Sequence, residues 1–202
     1  MPGEKIDAES RRRQILDTAF RIASRDRLEG ISIRAVAREA GVSMGLVSFY
    51  FGSKEGLLVA LLKRVVDTVF TIGFRATDEQ AAPNERLFSV VANTLELILD
   101  RPSDVQILLD YWIRAGQETE ISEIIRGALA TFRDSMQVIA TEMIGSQPER
   151  YAGVTPAGLA SIAMSTIEGT MFQVVLFPGE LDKAHFMRAL DALVNGHGSA
   201  AR

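Results

Sequence analysis

The chain has 202 residues, of which 47% are hydrophobic, so its composition excludes a disordered protein and predicts a compact fold. It contains no cysteine, which excludes disulfide bonds and thiolate metal sites and fits a reducing, cytoplasmic location. The net charge of −4 argues against a nucleic-acid partner. The charge is unevenly distributed, however: residues 1–64 hold 12 basic and 8 acidic side chains, a balance of +4, whereas the remaining residues hold 10 basic and 18 acidic side chains, a balance of −8. The first third of the chain can therefore bind phosphates although the whole protein is acidic.

The polar N-terminal segment, residues 1–9, predicts a loose arm rather than a signal peptide. No uninterrupted apolar run approaches the ~20 residues of a membrane span, so we expect a soluble protein without membrane contact. A first helix is predicted from Ser10 to about Asp26. Arg11, Arg12 and Arg13 stand at its start, where the helix dipole disfavours cations, so they either bind phosphates or form a solvated face.

The most informative stretch is SIRAVAREAGVSMGLVSFY, residues 32–50. Ser32 and Ser43 are residue types that cap helix N-termini, and Gly41 between them supplies the positive φ that ends a helix. The spacing thus predicts two short helices joined by a tight turn, which is the layout of a helix-turn-helix unit that binds DNA. In the second helix we expect an inward face and an outward face: Leu46, Val47 and Phe51 inward, and Met44, Gly45, Ser48 and Phe49 outward.

A long apolar helix is predicted to follow, from Ser53 to about Phe70. Ser53 is another N-cap type, and the first turn presents Lys54 beside backbone amides, a common arrangement for holding a phosphate. This helix is expected to link the first segment to the body, because the polar stretch 77–83 then breaks the pattern and ends in proline.

The rest of the chain predicts helices throughout, without strand alternation or repeats. The expected helices run from Asn84 to Leu99, from Ser103 to Ile113, from Glu118 to Ile144, from Leu159 to Leu176 and from Lys183 to Val194. We expect Gly145 to end the third of these, and Pro156 after Thr155 suits the first position of the fourth. The predicted fold class is all-α with about nine helices. We expect a DNA-binding domain in residues 1–52 and an effector-binding and dimerisation domain in residues 53–202.

The stretch from about Arg11 to Leu62, and above all AGVSMGLVSFYFGSKEGLL at 40–58, resembles the TetR family of dimeric transcriptional repressors. Within it, GLVSFYF is similar to the choline-responsive, BetI-like branch. The resemblance implies a helical ligand-binding and dimerisation domain after the helix-turn-helix, and a homodimer that binds a palindromic DNA operator. It also implies release by a small-molecule effector, whose identity the sequence does not give. The alternatives are an activator of transcription and a ligand-independent regulator of the same fold.

Carried over position by position, the resemblance implies a set of DNA-contacting residues. Ser48 departs from the family, which often has tyrosine there, so that contact is expected from a shorter hydroxyl or from Tyr50. The implied DNA-binding residues are Arg11, Arg12, Arg34, Ser43, Met44, Gly45, Ser48, Phe49, Tyr50 and Lys54.

The last two predicted helices are the candidate dimer interface, because the first of them carries more apolar residues than one buried stripe needs. A central core helix in a monomer is the alternative explanation. The candidate interface residues are Met164, Ile167, Met171, Val174, Val175, Phe186 and Leu190.

An effector pocket is expected in the body, lined by aromatic side chains, flexible methionines and one acid. Ordinary core packing explains each of these residues as well. Glu168, on an apolar helix, either holds a cationic ligand or pairs with an arginine across the dimer. The candidate pocket residues are Tyr111, Trp112, Phe132, Met136, Met164, Glu168 and Phe172.

Two other functional classes are less consistent with the sequence. An enzyme would have only His185 and His197 as histidines, with no cysteine and no glycine-rich phosphate loop, so we expect no catalysis, no cofactor and no metal. A helical interaction module without DNA would leave the exposed Met44–Phe49 surface unexplained.

Overall fold

The structure is a computed structural model that describes the backbone of residues 7–75 and 77–195, and the side chains of residues 7–70 and 77–194. Within these ranges it has nine α-helices, one 3₁₀ helix and no strand, so the predicted all-α fold class is confirmed. The helices are α1 (Ala8–Asp26), α2 (Ile33–Ala40), α3 (Met44–Phe51), α4 (Lys54–Arg75), α5 (Pro83–Asp100), α6 (Pro102–Ala115), α7 (Thr119–Ser146), α8 (Pro156–Leu176) and α9 (Lys183–Asn195), and the 3₁₀ helix is Leu28–Gly30. Most of the predicted N-terminal arm and His197 lie outside the described residues.

Several predicted helix ends are shifted, and capping explains the shifts. The α1 helix begins before Ser10 because the Asp7 carboxylate accepts the Ser10 amide hydrogen at 2.7 Å and takes the N-cap role. The α7 helix continues through Gly145, which was expected to end it. The α8 helix begins with Pro156 at its first position, before the expected Leu159, because the Thr155 hydroxyl caps it by accepting the Gly158 amide hydrogen at 3.1 Å.

The chain divides into two compact units, one made of residues 1–65 and 106–124 and the other of residues 66–105 and 125–202. The first unit therefore includes the beginning of α4 and most of α6 in addition to the helix-turn-helix. These units are defined by which residues contact one another, whereas the division at residue 52 separates two expected functions. The division at residue 52 stays a prediction.

The first unit has a continuous apolar core. The α1 helix packs on α2, and α2 packs on α3. The Gln14 amide also donates a hydrogen bond to the Ala40 carbonyl at 3.0 Å, which ties α1 to the end of α2. The fully buried side chains of this core include Ile15, Ile22, Leu28, Ile31, Val36, Val47, Leu57, Leu58, Leu61 and Leu62.

Two adjacent residues of α6 hold it to this unit. Tyr111 is fully buried, and its hydroxyl donates to the Leu58 carbonyl of α4 at 2.7 Å. Asp110 pairs with Arg27, which lies between α1 and the 3₁₀ helix. Burial raises the pKa of Asp110, and the Arg27 guanidinium opposes that rise.

Arg27 has a strained backbone, and this gives a testable prediction. Its φ of 62° and ψ of −178° fall in a region that is essentially restricted to glycine and costs about 1–3 kcal/mol elsewhere. Arg27→Gly and Arg27→Ala both lose the ion pair to Asp110, but only the glycine relieves the strain. After the greater unfolded-state entropy of glycine is subtracted, we expect Arg27→Gly to be about 1 kcal/mol more stable than Arg27→Ala in urea unfolding.

The matched control is the same pair of substitutions at Arg13, an exposed position inside α1. There glycine should be the less stable variant by roughly 0.5–1 kcal/mol, because a helix interior favours alanine. If the alanine variant were the more stable of the two at Arg27 as well as at Arg13, the backbone at Arg27 would not be strained.

The second unit is built around α5, which packs against α8 and α9. The Phe132 ring of α7 meets the Phe70 ring edge-on, with centroids 5.6 Å apart. Ion pairs join Arg86 to Glu142 at 2.5 Å and Lys183 to Glu96 at 3.3 Å. Its buried apolar side chains include Leu87, Val90, Val91, Leu95, Ile98, Met136, Ile139, Ile167 and Met171.

The α8 helix is unusually apolar for its burial. It has 21 residues and a mean hydropathy of 1.4 over its most apolar window, so by length and composition alone it could cross a membrane, and only 28% of that window is buried. A core helix would bury most of such a window. One side of α8 is therefore an exposed face of small and apolar residues.

Candidate nucleic-acid interface

The turn between α2 and α3 is built by local hydrogen bonds, as the sequence predicts. The Ser32 hydroxyl accepts the Ala35 amide hydrogen at 3.1 Å, and the Ser43 hydroxyl accepts that of Leu46 at 3.1 Å. Gly41 has a φ of 66°, and its amide donates to the last carbonyls of α2. These caps fix where α3 starts and hence which of its side chains face outward.

The α3 helix is anchored by two buried side chains and exposes the rest. Val47 and Phe51 are buried, and the Arg12 guanidinium of α1 lies 5.3 Å from the centroid of the Phe51 ring. This contact is a cation–π interaction that helps to position α3 against α1.

The outward side of α3 is apolar. Met44 is 55% exposed and Phe49 is 79% exposed, and the Phe49 ring packs edge-on against Tyr50 at 5.3 Å. Ser43, Gly45 and Ser48 are also exposed, so the face predicted from the sequence is the face that the structure presents. We name this surface the α3 face: Met44, Gly45, Ser48 and Phe49.

Basic residues lie on the helices next to the α3 face. Arg34 is exposed near the start of α2, Arg11 is half-buried with its guanidinium bonded to Gln14 at 2.7 Å, and Lys54 is half-buried in the first turn of α4. The Ser53 hydroxyl caps that turn by accepting the Gly56 amide hydrogen at 3.2 Å. A phosphate at this helix start would meet both the dipole and the Lys54 ammonium.

Some positive charge in this unit is neutralised within the chain. Arg25 and Arg21 both lie beside Glu39, at 3.2 Å and 3.9 Å, and Arg64 pairs with Asp17 at 2.5 Å. The charge balance of the sequence therefore overstates the charge available to phosphates. None of these three arginines was predicted to bind DNA. The predicted residues Arg12, Arg34 and Lys54 take no part in these ion pairs.

The structure places the candidate pocket residues in both units. Tyr111 and Trp112 lie in the first unit, where the Tyr111 hydroxyl is already bonded to Leu58. In the second unit, burial raises the pKa of the half-buried Glu168, and no cation among the described residues offsets that rise. Among the remaining candidates of the second unit, Phe132 and Met136 are buried, Met164 is half-buried and Phe172 is exposed.

The candidate dimer residues are more buried than the sequence alone suggests. Ile167 and Met171 belong to the core of their own chain, and the other five candidates are half-buried: Met164, Val174, Val175, Phe186 and Leu190. The exposed side of α8 is formed by other residues, which repeat at alternating steps of four and three. This spacing is typical of the contact line between two paired helices. It can be seen in the sequence, but the sequence does not show that these residues face outward. We name this set the α8 seam: Gly158, Ile162, Ser165, Gly169, Phe172 and Leu176.

Comparison with known proteins places both parts of the chain. Residues 15–61 match the family of bacterial regulatory proteins named after tetR, and residues 83–198 match the C-terminal domain of BetI-type transcriptional repressors. The HTH-type transcriptional regulator BetI of Burkholderia thailandensis is 28% identical over 176 residues, which is 86% of this chain and 86% of that protein.

Solved structures share the fold. A transcriptional regulator from Saccharomonospora viridis in complex with choline is 23% identical with a TM-score of 0.76, covering 97% of this chain and 100% of that chain. The regulator FadR of Bacillus subtilis in complex with stearoyl-CoA is 22% identical with a TM-score of 0.74, covering 91% of this chain and 98% of that chain.

Proposed function

We propose that this chain, which belongs to the TetR family and is a BetI-type transcriptional regulator, acts as a homodimeric repressor that a small molecule releases from a palindromic operator. In this proposal residues 1–52 bind DNA, and residues 53–202 bind the effector and form the dimer. The observation that carries it is the α3 face, an exposed helical surface with basic residues on both adjoining helices. A protein that acts on chromosomal DNA in this way works in the cytoplasm.

The α3 face is suited to the major groove. One short helix reads only a few base pairs, and each good base contact contributes about 1–3 kcal/mol of discrimination. Useful specificity then needs two copies of α3 on a two-fold axis, which also makes the operator palindromic. The residues proposed for backbone contacts are Arg11, Arg12, Arg34 and Lys54, with Tyr50 and the Ser43 cap beside them.

A dimer gives the α8 seam its partner. Its small residues Gly158, Ser165 and Gly169 allow two helices to approach closely, and a β-carbon placed on Gly169 would have no heavy atom within 4 Å in the single chain. Large apolar side chains at Ile162 and Leu176, 67% and 65% exposed, would be covered by the second copy. We therefore place the centre of the proposed interface on the α8 seam, with the half-buried candidates of α8 and α9 at its edge.

For the effector we propose a small quaternary ammonium cation, the class to which choline belongs. Glu168 is a carboxylate that burial destabilises and that no described cation neutralises, which favours a positive ligand. A long-chain acyl-CoA is the alternative suggested by the Bacillus neighbour, but its phosphates would be repelled by that carboxylate. Pairing of Glu168 with an arginine of the second copy is the other explanation, and a variant at Glu168 distinguishes it.

Selection of bound sequences from a random duplex pool tests DNA binding, palindromy and half-site spacing together. We expect a palindrome whose two half-sites lie on one face of the duplex, and binding that weakens steeply as salt rises. Enrichment of no sequence, with salt-independent retention on DNA, would contradict the proposal. A reporter with the selected operator then shows the direction of regulation, and induction by the added protein would identify an activator.

Substitutions in the two parts of the interface should have different effects. Lys54→Ala removes a charge that contacts only phosphate, so we expect weaker binding to all sequences alike and a shallower salt dependence. Met44→Ala changes a side chain that faces the bases, so we expect an altered base preference in the same selection. Loss of affinity in both variants with no change in preference would show that α3 is not the recognition helix.

A further inference from the structure

The α3 helix has a chemical peculiarity that bears on which bases it reads. Residues 44–51 are MGLVSFYF, with no Asp, Glu, Asn, Gln, Lys, Arg or His. The side chains that recognise guanine or adenine by paired hydrogen bonds, and the carboxylates that accept from cytosine, are therefore missing from this helix. Its hydroxyl groups can bond to several bases, and the same holds for Ser43 just before it, whose oxygen accepts the Leu46 amide hydrogen and whose own hydrogen stays available.

What the α3 face offers instead is apolar surface. Phe49 is 79% exposed and Met44 is 55% exposed, and both side chains present carbon or sulfur atoms. The major-groove edge of thymine carries the apolar group that such side chains contact, its 5-methyl group. Two large apolar side chains exposed on one helical face indicate a surface that a partner covers.

Gly45 supplies an independent observation. A β-carbon on Gly45 would have only the Ser43 hydroxyl oxygen within 4 Å, at 3.9 Å, so the fold itself leaves room for a side chain. Gly45 lies four residues before Phe49 on the same helical face, so its missing side chain leaves the Phe49 ring uncovered. Because Gly45 lies beside the exposed Met44 and Phe49, its missing side chain leaves the helix backbone open to close approach by a partner that covers this face.

We infer that the α3 face reads its operator through thymine methyl groups, with Met44 and Phe49 contacting the methyls and Gly45 admitting the edge of the base pair. The inference rests on the proposed DNA-binding function and specifies its ligand chemistry. It predicts half-sites in which the positions facing α3 are A·T pairs.

Replacing thymine by uracil in the selected operator tests the inference, since only the methyl group is lost. Each buried methyl contributes about 0.8 kcal/mol, which corresponds to roughly fourfold in affinity, so symmetric replacement in both half-sites should weaken binding about tenfold or more. Uracil placed outside the half-sites is the control and should have no effect. Phe49→Ala or Met44→Ala should abolish the sensitivity at one position, whereas Lys54→Ala should bind both duplexes more weakly and keep their ratio.

The outcomes separate this inference from the function on which it rests. A selected palindrome bound equally well with thymine or uracil at every position would overturn methyl readout and leave sequence-specific DNA binding intact. Failure to select any sequence would overturn both.

Gly45→Ala provides a second test that leaves the operator unmodified. We expect a thermal midpoint no lower than that of the parent, together with weaker binding to the selected operator. Unchanged binding would show that no base pair approaches Gly45, and a lowered midpoint would show that the fold requires the glycine; either result overturns this step.

Discussion

Ile162→Arg is expected to convert the proposed dimer into folded monomers and to lower operator affinity by at least about 100-fold, the usual advantage of two linked contacts over one. Ile162 lies on the α8 seam and is 67% exposed in the single chain, so arginine fits there without disturbing the core. In a dimer built on the α8 seam the second copy would cover this position, and the guanidinium group would lose its water without gaining a partner. Association would then lose apolar burial and carry the cost of a buried charge.

Sedimentation measures the oligomeric state, and helical content by circular dichroism shows whether the variant is folded. Val138→Arg is the matched control, because Val138 is an apolar residue of α7 with a comparable exposure of 57%. The control should remain dimeric and bind the operator like the parent. A dimeric Ile162→Arg variant would remove the α8 seam from the proposed interface and leave the half-buried residues of α8 and α9 as the candidates.

The helix-turn-helix was predictable because its determinants are local. The caps at Ser32 and Ser43 and the positive φ at Gly41 depend on neighbours within a few residues, and the structure confirms all three. The predicted start of α1 at Ser10 was wrong. Asp7 and Ser10 are both residue types that cap helices, and the Asp7 carboxylate takes this role, so the helix begins at Ala8. Gly145 was expected to end α7, but glycine is tolerated inside a helix at modest cost, and α7 continues to Ser146.

Contacts between distant segments were not predictable from the sequence. The pairing of Arg27 with Asp110 and the bond from Tyr111 to Leu58 join residues far apart in the chain, and no spacing pattern connects them. The apolar excess of α8 was recognised, but composition does not show which side is inward. In the structure Ile167 and Met171 are buried in the core, whereas the α8 seam is exposed. The proposed interface therefore stays on the predicted helix but is centred on a different side of it.

Glu168→Gln is expected to stabilise the unliganded protein at neutral pH and to weaken its response to choline at least tenfold. Burial raises the pKa of Glu168 in the folded state, so the ionised carboxylate lowers the free energy of unfolding at neutral pH. Glutamine has nearly the same shape and carries no charge, so the penalty disappears. When a cation is bound, the ionised carboxylate stabilises the folded state instead of destabilising it, because the two charges attract. The tighter the cation binds, the more it raises the free energy of unfolding.

The pH dependence follows from the same shift. Below the ordinary pKa of glutamate the carboxyl group is protonated in both the folded and the unfolded states, and parent and variant should be equally stable. As the pH rises through that value and then through the raised pKa of the folded state, the parent should become progressively less stable than Glu168→Gln. Choline affinity should rise over the same interval in the parent and stay constant in the variant.

Thermal unfolding with and without choline across this pH range measures both effects. Glu149→Gln is the control, because it removes the same charge from an exposed position in the second unit and should leave stability and choline response unchanged. If Glu168→Gln instead lowered stability and shifted the protein toward monomers, the carboxylate would be paired with a cation of the second copy. If stearoyl-CoA stabilised the parent and choline did not, the proposed ligand class would be wrong, because a buried carboxylate that favours a cation disfavours a polyanion for the same electrostatic reason.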